Sequence, residues 1–250
     1  MVMAQEDFYR LSIVIPVYNE EQRLGPTLTR LGEYLSGKPY TWELIVVDDG
    51  SRDRSVEVAG QAGLGEALRV VEHKVNRGKG AAVRTGMAAV RGQFALFSDS
   101  DLSTPIEEIE KFWPWFEEGY DVVIGSRGLS TSQIEVHQSL HREWMGRFFN
   151  VLVRALVVPG IHDTQCGFKM FTQRAVERIF PRLQLEGWAF DVELLAVAQQ
   201  QGLRTAEVPV RWVNSPDTRV RTFRASSQML CDLLRLRRRF RSRPQAVSNG

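Results

Sequence analysis

Two short apolar runs near the start constrain this chain most: LSIVIPV at 11–17 and WELIVV at 42–47. Near-continuous apolar runs of this length suit strands buried on both faces. Residues 20–35 between them carry a helical pattern. The alternation continues with a helix over 53–62, a strand over 68–72 and an Ala-rich helix over 80–90. A strand over 94–97, a helix over 105–118 and a strand over 122–125 follow. This order predicts an α/β fold: a mostly parallel sheet flanked by helices, in a single domain. Ligands of such sheets bind outside the carboxyl ends of the strands. Residues just after each strand are therefore the first candidates for chemistry.

The second half is less regular. Residues 130–141 are polar and read as a mobile loop, and 142–158 read as a helix with Phe148, Phe149, Leu152, Leu156 and Val157 at helical spacing. Strands are expected over 167–171 and 203–210, with a helix over 191–201 between them. Residues 214–221 read as a loop and 225–240 as a helix. The expected organisation is a flexible N-terminus (1–10), one main domain (11–223), a basic amphipathic helix (224–241) and a frayed tail (242–250).

Composition narrows the function classes. With 43% hydrophobic and 25% charged residues in 250, the chain is that of an ordinary globular protein. A formal net charge of +2 gives no global reason to expect nucleic-acid binding. The basic residues are uneven, however: Arg235, Arg237, Arg238, Arg239, Arg241 and Arg243 crowd the end. Together with Leu233, Leu234, Leu236 and Phe240 they make a basic amphipathic helix, a pattern suited to a membrane surface. The plain alternative is a solvated helix. Nucleic acid fits worse, because no stacking platform or base-reading motif accompanies the charge. No stretch approaches the roughly 20 apolar residues needed to span a bilayer, and residues 1–10 lack the apolar core of a signal peptide. The expectation is a cytoplasmic protein peripherally attached to a membrane. Cys166 and Cys231 lie in no zinc pattern and read as reduced thiols.

Carboxylates cluster where the fold would place ligands. Asp48 and Asp49 end the second strand, and Asp99 and Asp101 follow the fourth in the order Asp-Ser-Asp. In extended chain, residues two apart share a side, so Asp99 and Asp101 can meet one divalent cation. Oxygen ligands suit Mg2+ or Mn2+, which one or two carboxylates commonly hold together with substrate phosphates. The plain alternative is turn chemistry, which also favours Asp and Ser after strands. Both pairs at one sheet edge favour a metal–diphosphate site. Lys79, in NRGKG at 76–80, opens the Ala-rich helix, where backbone N–H groups favour anions. A simple glycine turn explains the same residues. Asp191 and Glu193 sit two apart on a helix and therefore face differently; Asp191 is a weak site candidate and Glu193 a structural one.

The runs LSIVIPVYNE, VVDDGS, NRGKGAA, FSDSD and VVIGSR, in that order, resemble the inverting family-two glycosyltransferases with the GT-A fold. HDTQCGFKMF at 162–171 and GWAFDVELL at 187–195 resemble the dolichyl-phosphate β-glucosyltransferases and, more loosely, the polyprenyl-phosphate mannose synthases. The resemblance implies that Pro16, Tyr18 and Glu20 line a nucleotide pocket and that Asp49 contacts base or ribose; Asp48 beside it and Lys79 are further candidates for binding the donor. It implies Asp99 and Asp101 as the metal pair, Asp101 foremost, with Mg2+ or Mn2+ as cofactor. Arg127 and Arg142 would grip the lipid phosphate, Asp163 would orient metal or acceptor, and Gln165 would sit beside it. The implied reaction is inverting transfer of a sugar, glucose from UDP-glucose first, to a polyprenyl or dolichyl phosphate. Three alternatives stay open: a mannose synthase using GDP-mannose, transfer to a hydroxyl acceptor, and a non-catalytic nucleotide-sugar-binding scaffold. Where mannose synthases often carry DADLQ, this chain reads DSDLS at 99–103.

Overall fold

The computed structural model describes residues 9–129, 132–134, 152–213 and 222–241. Strands β1 (Leu11–Val17), β2 (Trp42–Asp48), β3 (Leu68–Glu72), β4 (Phe94–Ser98), β5 (Val122–Ser126), β7 (Phe168–Thr172) and β8 (Thr205–Pro209) form one seven-stranded sheet. Its order is β3-β2-β1-β4-β7-β5-β8. Six strands point one way, and β7 alone runs against its neighbours β4 and β5. Two short strands, β6 (Gln133–Ile134) and β9 (Arg211–Trp212), pair separately in parallel.

The strand runs are apolar throughout because both faces are covered. On β1, Leu11, Ile13, Ile15 and Val17 pack with Leu24, Leu28, Leu31 and Leu35 of helix α1 (Leu24–Ser36). Val14 points to the other face, with Val83 and Met87 of helix α3 (Lys79–Ala88). That second face also receives helix α5 (Gln173–Ile179), helix α6 (Phe190–Gln200) and, through Leu233 and Leu236, helix α7 (Thr222–Arg241). Helix α2 (Ser55–Gly60) sits between β2 and β3 in the chain.

Several elements differ from the expectations, each for a local reason. Helix α1 begins at Leu24 and not at 20, after a turn over 20–23, because Pro26 has no N–H and is accommodated in a helix's first turn. The helix expected over 105–118 splits into a 3-10 segment, Ile106–Lys111, and helix α4 (Trp113–Glu117). Pro114 lacks the N–H that a continuous helix needs and clashes with the preceding turn. Helix α5 was not expected; Thr172 caps it, its side chain accepting from the Ala175 N–H. The apolar stripe expected to face lipid on α7 instead buries Leu233 and Leu236 in the core, while Leu234 remains exposed. Of the helix expected over 142–158, residues 152–156 are helical, and Val153 and Val158 belong to the core. Within the loop expected over 130–141, Gln133–Ile134 form β6, while 130–131, 135–141, the loop expected over 214–221 and the tail 242–250 lie outside the described residues.

Gly86 lets α3 lie directly on the sheet: a Cβ there would stand 2.3 Å from Val14 Cγ1 and 2.9 Å from Val47 Cγ2. Gly86→Ala should therefore lose stability in urea unfolding, because overpacking costs about 1–3 kcal/mol against a helix-propensity gain of about 1 kcal/mol. An unchanged or raised midpoint would show that the helix can move off the sheet without penalty.

Candidate active site

The carboxyl ends of β1, β2, β4 and β5 and the start of β7 meet along one edge of the sheet, and a cavity of about 550 Å³ opens there. Pro16, Tyr18, Glu20, Asp49, Lys79, Asp99, Asp101, Arg127 and Gln165 line it. With Asp191, which also borders it, the structure gathers ten of the sequence-derived candidates around one space. Asp48 and Asp163 are buried behind the wall, and Arg142 lies outside the described residues.

Asp49 and Asp48 divide the work of their turn. Asp49 Oδ1 accepts from the Arg77 N–H (2.9 Å) and lies 2.7 Å from His73 Nδ1; Oδ2 accepts from the Gly78 N–H (2.7 Å). His73 Nε2 in turn lies 2.9 Å from Thr85 Oγ1. Asp49 therefore ties the end of β2 to the turn that starts α3. Asp48 Oδ2 accepts from the Ser51 N–H (2.9 Å), which is the turn chemistry that competed with a ligand role for it. Pro16 and Tyr18 reach the cavity as β1 ends, and Glu20 there holds Arg23 at 2.6 Å.

Asp99 and Asp101 stand at the end of β4. The Asp99 N–H donates to Gly167 O (3.1 Å), and a Cβ on Gly167 would fall 1.9 Å from Asp99 Oδ2. Only a residue without a side chain leaves that carboxylate its seat. Lys79 Nζ lies 2.6 Å from Asp99 Oδ1, and Asp101 Oδ1 accepts from the Ser103 N–H (3.0 Å). Burial works against the Lys79 charge, but Asp99 and then Asp191 outweigh it and hold the ammonium above its ordinary range. Among the described residues no group of three or more His, Cys, Asp or Glu could hold a metal ion by itself. Two hard oxygen donors and a glycine-made seat fit a cation completed by diphosphate oxygens, as Mg2+ and Mn2+ allow.

Arg127 leaves the end of β5 and is anchored from behind. Its Nε lies 2.7 Å from Asp163 Oδ2 and a terminal nitrogen 3.0 Å from Oδ1; its own N–H also donates to Oδ2 (3.0 Å). Asp163 is 2% exposed and its N–H donates to Glu207 Oε1 (2.7 Å). Both of its oxygens bond Arg127, so any orienting of metal or acceptor by Asp163 would act through that arginine. Burial would raise its pKa, but the Arg127 charge and hydrogen bonds win and hold the carboxyl below the usual range. Gln165 reaches the cavity beside this pair, its N–H donating to Asp163 Oδ1 (3.2 Å). Behind the wall, fully buried Lys169 pairs with Asp191 and donates to Cys166 O (2.6 Å). Burial pushes Asp191 up, and Lys169 and Lys79 offset only part of that. Burial also pushes the Cys166 thiol up to about 11, so it stays protonated.

Two aromatic residues were missed. Trp188 and Trp212 both line the cavity; Lys79 Nζ lies 5.1 Å from the Trp188 ring centre, and the Arg127 guanidinium 5.5 Å from that of Trp212. Trp188 carried a signal, as an aromatic in the GWAFDVELL run that the family resemblance already singled out, whereas Trp212 had none.

A family model described as glycosyl transferase family 2 matches residues 12–180. The chain belongs to that family. The dolichyl-phosphate beta-glucosyltransferase of Mus musculus is 39% identical over 246 residues, covering 92% of this chain and 76% of the relative. The protein of the same name from Dictyostelium discoideum is 36% identical over 243 residues, covering 92% and 74%. Glucosyl-3-phosphoglycerate synthase from Mycobacterium tuberculosis, solved with Mn2+, UDP and phosphoglyceric acid, superposes with a TM-score of 0.69. It is 20% identical and the match covers 95% of this chain and 80% of that one, a likeness of fold. The fold of this hexosyltransferase is of the GT-A type.

Replacing Asp163 with Asn should cost about 3–5 kcal/mol near neutral pH, because it leaves Arg127 without its buried counter-charge. The folded-state pKa of Asp163 is depressed, so the pair's contribution is full above the ordinary carboxylate range and is lost as pH falls through the folded value. Urea unfolding of both proteins at about pH 7 and about pH 3 checks this: the gap should narrow in acid. A gap independent of pH would show that the charge of Asp163 is not what stabilises.

Proposed function

We propose that this enzyme transfers glucose from UDP-glucose to the phosphate of a polyprenyl lipid such as dolichyl phosphate, with inversion at the anomeric carbon. What carries the reading is one juxtaposition: the carboxylate pair Asp99 and Asp101 and the anchored cation Arg127 line a single cavity. One group of charges suits a metal-bridged diphosphate, the other a second anion. The relatives named above favour glucose as the sugar and dolichyl phosphate as the acceptor.

In this reading Pro16, Tyr18 and Glu20 shape the nucleotide end of the cavity, and Asp49 lies against it while fixing the 76–78 turn. Lys79 and the first turn of α3 face the diphosphate. Asp99 and Asp101 would hold Mg2+ or Mn2+, a choice that the Mn2+ in the structural neighbour also favours. The cation, when bound, supplies Lewis-acid stabilisation of the charge that develops on the leaving diphosphate. An oxygen of the acceptor phosphate forms the new bond to the anomeric carbon, and the bond from that carbon to the diphosphate oxygen breaks, releasing UDP. A phosphate dianion needs no deprotonation, so the chain's task is positioning. The Arg127 guanidinium does this because a planar fork grips phosphate directionally, and Asp163 and Gln165 keep it and its surroundings in place. Arg142 remains a second proposed phosphate ligand.

A polyprenyl acceptor presents its phosphate at a bilayer surface. Among the described residues no helix is long and apolar enough to cross a membrane. We therefore infer peripheral attachment at a cytoplasmic membrane face through the exposed side of α7, where Leu234 stands among the arginines. Each basic residue near an anionic leaflet adds about 1 kcal/mol.

The deciding assay is sugar transfer to a short polyprenyl phosphate in detergent, comparing UDP-glucose with GDP-mannose, and Mg2+ with EDTA. Metal-dependent glucose transfer is the expected result. Transfer from GDP-mannose in preference would overturn the donor, and donor hydrolysis with no transfer from either would overturn the acceptor.

A further inference from the structure

The wall that carries Lys79 and Trp188 is held on one side by Asp49 at the end of β2 and on the other by a segment outside the sheet. Helix α3 begins against the segment 183–188: the Gly80 N–H donates to Glu186 O (2.8 Å), and Arg84 donates to Leu183 O (2.8 Å) and pairs with the Glu186 carboxylate (3.0 Å). Arg77 pairs with the same carboxylate (2.7 Å). The fit is close, for a Cβ on Gly78 would meet Glu186 O at 2.5 Å. Whatever fixes 183–188 therefore also fixes the turn that presents Lys79, and Trp188 directly.

What fixes it is Glu193, one turn into α6. Its side chain has no solvent exposure, and its two oxygens accept from the Gln184 N–H (2.9 and 3.0 Å) and the Leu185 N–H (2.8 Å). A buried carboxylate is costly without a counter-charge. That charge comes from Arg239 of α7, which pairs with Glu193 and also donates to Arg182 O (2.8 Å). Arg239 lies well beyond the segment that matches the family model, 12–180.

We propose that Glu193 is a positioning residue for donor binding: neutralised by Arg239 from the C-terminal helix, it clamps 183–188 and thereby sets Lys79 and Trp188 on the donor side of the cavity. The C-terminal helix thus completes the donor site from outside it. This rests on the reading that the cavity takes a nucleoside diphosphate sugar.

Wild type, Glu193→Gln, Arg239→Gln and Arg239→Lys are compared by calorimetric titration with UDP in Mn2+, by hydrogen exchange of the amides at 183–188, and by thermal unfolding. Expected in Glu193→Gln and Arg239→Gln is faster exchange at 183–188 and UDP binding weakened about tenfold, equivalent to about 1.4 kcal/mol, with Arg239→Lys restoring most of both. Should Glu193→Gln fail to fold, Arg239→Gln, which alters a partly exposed side chain, carries the test. Lower melting temperatures with exchange at 183–188 and UDP affinity unchanged would overturn the proposal. The expected pattern in an enzyme that transfers no glucose would support the clamp while contradicting the proposed reaction.

Discussion

The reversed strand β7 is the constraint on which the site depends. It enters between β4 and β5 from the carboxyl edge, pairing Phe168 with Ser98 and Lys169 with Ile124. A strand running the other way begins where its neighbours end. Residues 163–167 are thus delivered to the edge where Asp99 and Arg127 emerge. Gly167 seats Asp99, Asp163 anchors Arg127, and Gln165 faces the cavity between those tasks. In an all-parallel sheet this segment would sit at the opposite edge, and neither charged group would have its support.

The chemistry of the edge follows from how its charges are paired. Ionised groups taken out of water are costly unless each meets a partner. Lys79 meets Asp99, Arg127 meets Asp163, Lys169 meets Asp191, and Arg239 meets Glu193. The pairs differ in what they leave for a ligand. Lys169 is fully buried and its partner nearly so, and their pairing closes the back wall. Lys79, Asp99 and Arg127 line the cavity, so each serves a neighbour and still faces incoming anions or cations. Preorganised charges of this kind need little rearrangement when a phosphate arrives, which is the condition for effective electrostatic stabilisation.

The first half of the fold was legible because each strand is short, apolar and separated from the next by a helical pattern. β1, β3 and their neighbours accordingly appear at or within a residue of the expected bounds. The acidic and basic site residues were legible because they follow those strands. The reversal of β7 was not, since a buried strand reads alike in either direction. The clamp role of Asp163 was hidden for the same reason: residue type says that a carboxylate is present, and only the register says which side of Arg127 it occupies. Leu233 and Leu236 show the matching limit for helices. An apolar stripe declares that it will be covered, and tertiary packing against α6 decides by what.

The claim that Arg127 receives the acceptor while Asp99 and Asp101 serve the donor is tested most directly by Arg127→Lys, which keeps the charge opposite Asp163 but loses the guanidinium fork. Steady-state kinetics with each substrate varied should show the acceptor KM raised about tenfold, equivalent to about 1.4 kcal/mol, with the donor KM unchanged. A donor KM raised as much as the acceptor KM, or an acceptor KM that does not move, would contradict the division of the cavity into a donor and an acceptor end.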